Sequence, residues 1–244
     1  MSAVAERRRT GRTVSAVLVG ALMVASVAAI AGGLLTAGLA MWGRGTAAEA
    51  PVQLAAPVGF YGDLTLPCVE GWSLDGAGCE PAASPDQWPG GQPLPVRHAG
   101  GFLAGGGVLQ ADPFTALFAT AAAWGGFLAG GVVGLVLIPL LRTTASGRPF
   151  AAGNDRRLAI AAGVIAAGWA LASVGDFVAA SRIIELLELT PVQTAAGSFD
   201  VPSGWLAPEL QVTWWPLPIV LLLTALAAAT RRGARLASDT EGLV

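Results

Sequence analysis

The chain contains no lysine, one histidine, two cysteines and one tyrosine in 244 residues, and only 12% of it is charged. Each shortage excludes a class of chemistry. Without a Lys-Ser/Thr pair to complete a P-loop, the Gly-rich stretch from Gly90 to Gly107 reads as a flexible linker rather than a phosphate cradle. A lone His98, beside Arg97 and read as an exposed loop residue, forbids paired-His metal sites and leaves no span with a histidine to ligate haem. Cys68 and Cys79 lack the C-x-x-C spacing of a redox pair. G-x-S-x-G and H-E-x-x-H are both absent, and no span combines a nucleophile with a base. The chain therefore reads as non-enzymatic, without a catalytic residue, cofactor or metal. Its net charge of -2 gives no bulk attraction for nucleic acid.

What is present is apolar: 54% of the residues, with a mean hydropathy of +0.62, point to the bilayer as solvent. Crossing its hydrocarbon core takes about 20 residues of helix. Four stretches meet or approach that length: residues 14–42, 114–141, 158–180 and 213–230. Asp112-Pro113 has cap and first-turn character before the second, Asn154 or Asp155 caps the third, and Arg231-Arg232 stops the fourth. The expected fold is an all-α integral membrane protein, a four-transmembrane-helix bundle with a small disulfide-containing extracytoplasmic loop domain. The first stretch holds 29 residues without a charge, too many for a signal-peptide core of about 7 to 15, so it reads as a retained span.

Arginine distribution orients the bundle, because short cytoplasmic loops keep basic residues near span ends. Eleven of the 14 arginines fall in residues 1–13, 142–157 and 231–244. Eleven of the 16 acids fall in residues 43–113 and 181–212. One face thus sums to +7 and the other to -8, with Asp176 left near a span end. The Arg-rich N-terminus, the hairpin 142–157 and the tail are expected in the cytoplasm of a bacterial plasma membrane. The Arg-only, Ala- and Gly-rich usage suggests a high-GC bacterium.

Small residues at every fourth position let helices in lipid approach closely. Gly126, Gly130 and Gly134 form such a ridge on the second span, Ala21, Ala25, Ala29 and Gly33 one on the first, and Ala162, Ala166 and Ala170 one on the third. Packing inside the bundle is the first reading, and homo-oligomerisation through Gly126, Gly130 and Gly134 the second. Pro139 is placed to bend the second span. Trp42, Trp205, Trp214 and Trp215 read as interfacial anchors.

Residues 43–113 hold both cysteines and nine of the 16 prolines, and form a connection too long for a simple loop. Val52 to Leu54, Asp63 to Leu66 and Gly71 to Leu74 read as short strands, with Asp75-Gly76 a hairpin signal. A Cys68–Cys79 disulfide would remove about 2 to 3 kcal/mol of unfolded-state freedom. In the second outer connection, Arg182 to Leu189 is too apolar for free solution and reads as an extension of the third helix or a short surface helix. Asp176 is the sole carboxylate close to a span, read as an interfacial structural acid or as a candidate intramembrane polar site for a cation or proton.

The hairpin carries Gly147-Arg148-Pro149-Phe150 and then Asn154-Asp155-Arg156-Arg157-Leu158. Gly and Pro make the turn, Phe150 dips into the interface, and the arginines hold the loop beside anionic lipid. This pattern, Gly147, Pro149 and Phe150 followed by Asn154, Arg157 and Leu158 between two spans, resembles the bacterial four-span membrane proteins of domain-of-unknown-function family 2975. The resemblance covers Phe114 to Arg232; the large Cys-containing loop departs from the family pattern. It implies a small integral membrane protein, in some members encoded beside a helix-turn-helix regulator, with no activity established. The expected function is a sensing, binding or accessory component whose partners are the lipid bilayer and another membrane or cytoplasmic regulatory protein. The alternative is a small transporter or channel component using Asp176.

Overall fold

The computed structural model describes residues 2–42, 49–55, 68–69, 72–73, 96–98, 102–104, 112–194, 197–199, 201 and 203–241. Among these residues it is mostly helical: α1 (Ser2–Met41), α2 (Pro113–Ala119), α3 (Ala121–Ala145), α4 (Asn154–Leu189) and α5 (Pro216–Glu241). Four stretches, Val17–Met41, Ala121–Ala145, Asn154–Leu189 and Pro216–Leu236, are long and apolar enough to cross a membrane. Their apolar side chains largely face outward, with Val17, Val24, Leu35, Leu221 and Leu222 all exposed. Such a surface suits lipid and would be an aggregation liability in water. The helices overrun the apolar stretches that announce them. Arg231-Arg232 does not stop α5, which continues to Glu241, because Arg and Ala are strong helix formers and hydropathy sets where lipid ends, not where a helix ends. At its other end α5 begins at Pro216 rather than Thr213, with proline at the first helical position, where its missing N-H costs nothing.

The chain divides into two compact units. The first comprises residues up to Leu35, Ala123–Leu171 and Thr213 onward. Its helices close on glycine, but not along the stripe that spacing alone suggests. A Cβ on Gly131 would lie 2.6 Å from Ile30 Cγ1 and 2.7 Å from the Ser26 carbonyl oxygen, and one on Gly33 would lie 2.9 Å from the Trp124 carbonyl oxygen. Gly134 abuts the Ser26 side chain, whereas Gly126 and Gly130 have open space around them. The α1–α3 contact therefore runs along Gly131 and Gly134, because a helix touches its neighbour along one stripe about 100° wide and Gly130 points away from it. Gly168 on α4 comes against Ala129 of α3. Trp169 donates from Nε1 to the Thr213 carbonyl oxygen at 2.8 Å, joining α4 to the segment before α5. Pro139 lies within α3, which runs on to Ala145.

The second unit comprises Thr36–Ala122 and Ala172–Val212. It holds a four-stranded sheet of β1 (Ala50–Leu54), β4 (Val96–His98), β5 (Phe102–Ala104) and β8 (Leu206–Pro208), in the order β4-β5-β1-β8. All three pairings are antiparallel, with Ala50 opposite Ala104 and Leu54 opposite Leu206. Two separate two-stranded pairs are β2 (Cys68–Val69) with β3 (Trp72–Ser73) and β6 (Val192–Thr194) with β7 (Gly197–Phe199). Ala50, Val52, Ala104 and Leu206 from the sheet form one core with Ala179, Ala180, Ile183, Ile184 and Leu187 of α4. That core explains the apolar run after Arg182: it extends the third helix, and the sheet covers it. Trp205, expected as an interfacial anchor, packs at the rim of this core and its carbonyl oxygen accepts from Ala55 at 2.8 Å.

Two strands fall in the stretch expected to be flexible linker, and His98 lies in β4 opposite Phe102 rather than in a loop. Strand propensity is context-dependent, and these short segments acquire order by pairing with each other and, through β5, with β1, about 50 residues earlier in the chain, which no local pattern displays. The expected strand Asp63 to Leu66, the turn signal Asp75-Gly76 and Cys79 lie outside the described residues.

Candidate functional site

The hairpin between α3 and α4 is built from the residues of the sequence motif. Gly147 adopts φ +79° and ends α3 in a Schellman arrangement. In it the Arg148 N-H donates to the Thr143 carbonyl oxygen at 2.9 Å and the Gly147 N-H to that of Thr144 at 3.0 Å. Asn154 is fully buried and ties the turn together. Its Nδ2 donates to Thr143 Oγ1 at 2.9 Å and to the Pro149 carbonyl oxygen at 3.0 Å, while its Oδ1 accepts from Arg157 Nη1 at 2.9 Å. The sequence suggests a helix cap at this residue; its side chain instead reaches back to α3, using the amide as donor twice and acceptor once. Leu158 is buried one turn further on.

Phe150 rests on α5. A Cβ added to Gly233 would fall 2.6 Å from Phe150 Cδ1, so the ring lies directly on the helix backbone. Phe150 is otherwise half exposed. Thr143 and Gly233 are the two partners that sequence reasoning missed. A glycine inside the helical run Arg231-Arg232-Gly233-Ala234-Arg235 is the only signal that could have pointed to one of them.

Asp176 stands in the second unit. At about 100° per residue it falls in the middle of the arc of α4 that buries Ala179, Ala180, Ile183 and Leu187. It is half-buried. Gly175 beside it marks a close helix approach, since a Cβ there would lie 2.6 Å from Ala121 Cβ and 3.1 Å from the Phe118 carbonyl oxygen. Among the described residues its carboxylate has no hydrogen-bond or ion-pair partner. Asp112 behaves differently. It caps α2, accepting from the Phe114 N-H at 2.8 Å, the Thr115 N-H at 3.0 Å and the Thr115 hydroxyl at 2.8 Å. The Thr115 hydrogen bonds hold its carboxyl below the usual range.

Of the cysteines, Cys68 lies in β2 opposite Ser73, and its partnership with Cys79 falls outside the described residues. No group of three or more His, Cys, Asp or Glu residues able to hold a metal ion occurs among the described residues. No family model matches this chain, and no curated protein and no solved structure matches it.

Proposed function

We propose that this chain is a multi-pass bacterial plasma-membrane protein of sensing, binding or accessory type, without enzymatic activity. In this reading the termini and the Asn154 hairpin lie in the cytoplasm, and residues 43–113 and 181–212 form an extracytoplasmic module closed by a Cys68–Cys79 disulfide. The observation that carries it is α4: one unbroken helix from Asn154 to Leu189 whose later residues form the core of a folded sheet and whose first residue is the tie of the hairpin. A helix of this kind suits a component that binds on one side and presents a surface to a partner on the other. The resemblance of the hairpin to domain-of-unknown-function family 2975, some members of which are encoded beside a helix-turn-helix regulator, is in keeping with a cytoplasmic partner.

Topology and bridge share one test. A membrane-impermeant maleimide should label Cys68 and Cys79 on intact cells only after a reductant is added. Labelling that instead requires permeabilised cells reverses the orientation. The partner is tested by purifying the intact chain from native membranes beside Asn154→Ala, which leaves the Pro149 carbonyl and the Arg157 guanidinium short of a partner and costs about 2 kcal/mol. A protein retained by the parent chain and lost from the variant is the expected result; recovery of no protein with the hairpin intact counts against the signalling role.

A small transporter or channel component is the second reading, favoured by the place of Asp176 on the packed face of α4. Ion flux into liposomes that disappears with Asp176→Asn would put it first, and equal flux with and without the carboxylate would remove it.

A further inference from the structure

The arginines at the hairpin and on α5 are separated by some 75 residues of chain, yet the Phe150–Gly233 contact joins their two segments. Arg148 is two residues before Phe150, and Arg231 and Arg232 immediately precede Gly233. Arg142 closes α3 and Arg156 lies in the first turn of α4. All five are exposed, and among the described residues none has a carboxylate partner. Arg157 differs, because Asn154 engages it. Between Arg142 and Arg157 the sole acid is Asp155. Guanidiniums with no protein carboxylate among their described neighbours suit a surface that meets anions from outside the chain.

The neighbouring surface identifies the anion. Leu141 next to Arg142, Ile160 one turn after Arg156, and Leu226 little more than one turn before Arg231 are all exposed, as is Phe150. A nucleic acid or an acidic peptide would leave those apolar groups in water. A phospholipid covers them with its acyl chains while its phosphate meets the guanidiniums, whose planar forks match phosphate oxygens.

We propose that the hairpin and the Arg231-Arg232 segment of α5, stapled by Phe150 on Gly233, form one binding surface for the phosphate headgroups of anionic phospholipids. The staple is what makes this more than a general attraction of basic loops to membranes, since it joins the two arginine-bearing segments, distant in the chain, and so converts separate weak contacts into a multivalent one. The inference does not depend on a protein partner; it rests on the proposed cytoplasmic placement of the hairpin at the membrane surface, which the maleimide experiment tests independently.

The test uses the full chain reconstituted in nanodiscs of mixed phosphatidylcholine and phosphatidylglycerol, with the lipid retained around the protein measured by native mass spectrometry. The parent chain should enrich phosphatidylglycerol, less so as salt rises. Replacing Arg148, Arg156, Arg231 and Arg232 by Gln should reduce the enrichment at least about tenfold. Gly233→Val keeps every arginine but displaces the ring, which is free to swing outward, and should reduce it about threefold or more. Phe150→Ala should do the same, and melting temperatures in phosphatidylcholine discs confirm that the variants are folded. Should the fourfold variant fail to insert, Arg231→Gln with Arg232→Gln supplies the charge arm. Enrichment unchanged in Gly233→Val and Phe150→Ala overturns the staple, and enrichment unchanged in the arginine variants overturns the site. Displacement of the lipid by inorganic phosphate alone, or retention of an acidic protein in its place, overturns the choice of phospholipid.

Discussion

Ile183→Ala should destabilise the second unit by about 2 to 5 kcal/mol, the range for truncating a large aliphatic side chain in a filled core. Ile183 is 0% exposed and Leu187, one turn later, 1% exposed, and both share one core with Val52, Ala104 and Leu206 of the sheet. The site has little means of collapsing, because Ala50, Ala104, Ala179 and Ala180 of the same core cannot reach across the space left behind. Thermal unfolding in detergent should report a Tm lowered by at least about 4 °C. Leu189→Ala is the matched control: Leu189 is 75% exposed, and its truncation should stay within about 0.5 kcal/mol. Equal effects at the two positions would mean that the sheet does not rest on this face of α4.

Gly131→Val and Gly130→Val should behave as opposites although the residues are adjacent. At Gly131 the added Cβ meets a backbone oxygen at 2.7 Å and a backbone nitrogen at 3.1 Å, and backbone cannot rotate away as a side-chain tip can. The helices must separate, forfeiting the close contact that holds them in lipid, at a cost of about 3 kcal/mol. Gly130 has nothing within 4 Å, so its substitution should leave the unfolding midpoint nearly unchanged. The same pair of variants bears on self-association. Gly134 is occupied by Ser26, so a homo-oligomer formed through the ridge would have to use Gly126 and Gly130. A shift to monomer with Gly130→Val, read by light scattering in detergent, would identify that open face as a contact between copies.

The hairpin shows how far motif reading reaches. Gly147 and Pro149 are legible as turn residues because glycine tolerates positive φ and proline has one φ, both properties of the residue itself. The prominence of Asn154 is visible too, but its role is not: capping is local, whereas its amide bonds to Thr143, 11 residues back, which becomes a neighbour only once two helices stand side by side. Asp112 is the contrasting case, where the donors lie two and three residues away and the cap is legible in full.

Four apolar stretches of spanning length, the segregation of arginines and acids by segment, and the lack of a familiar catalytic motif are all legible along the chain. Those are sums over contiguous residues and need no partner. Only folding reveals which glycines touch a neighbour, that the apolar stretch 183–187 is the floor of a sheet, that a glycine-rich stretch carries two of its strands, and that Phe150 lies on Gly233. Each of these depends on contact between residues far apart in the chain. The free energy of such contacts comes from shape fit and shared burial, which residue spacing along one segment does not encode.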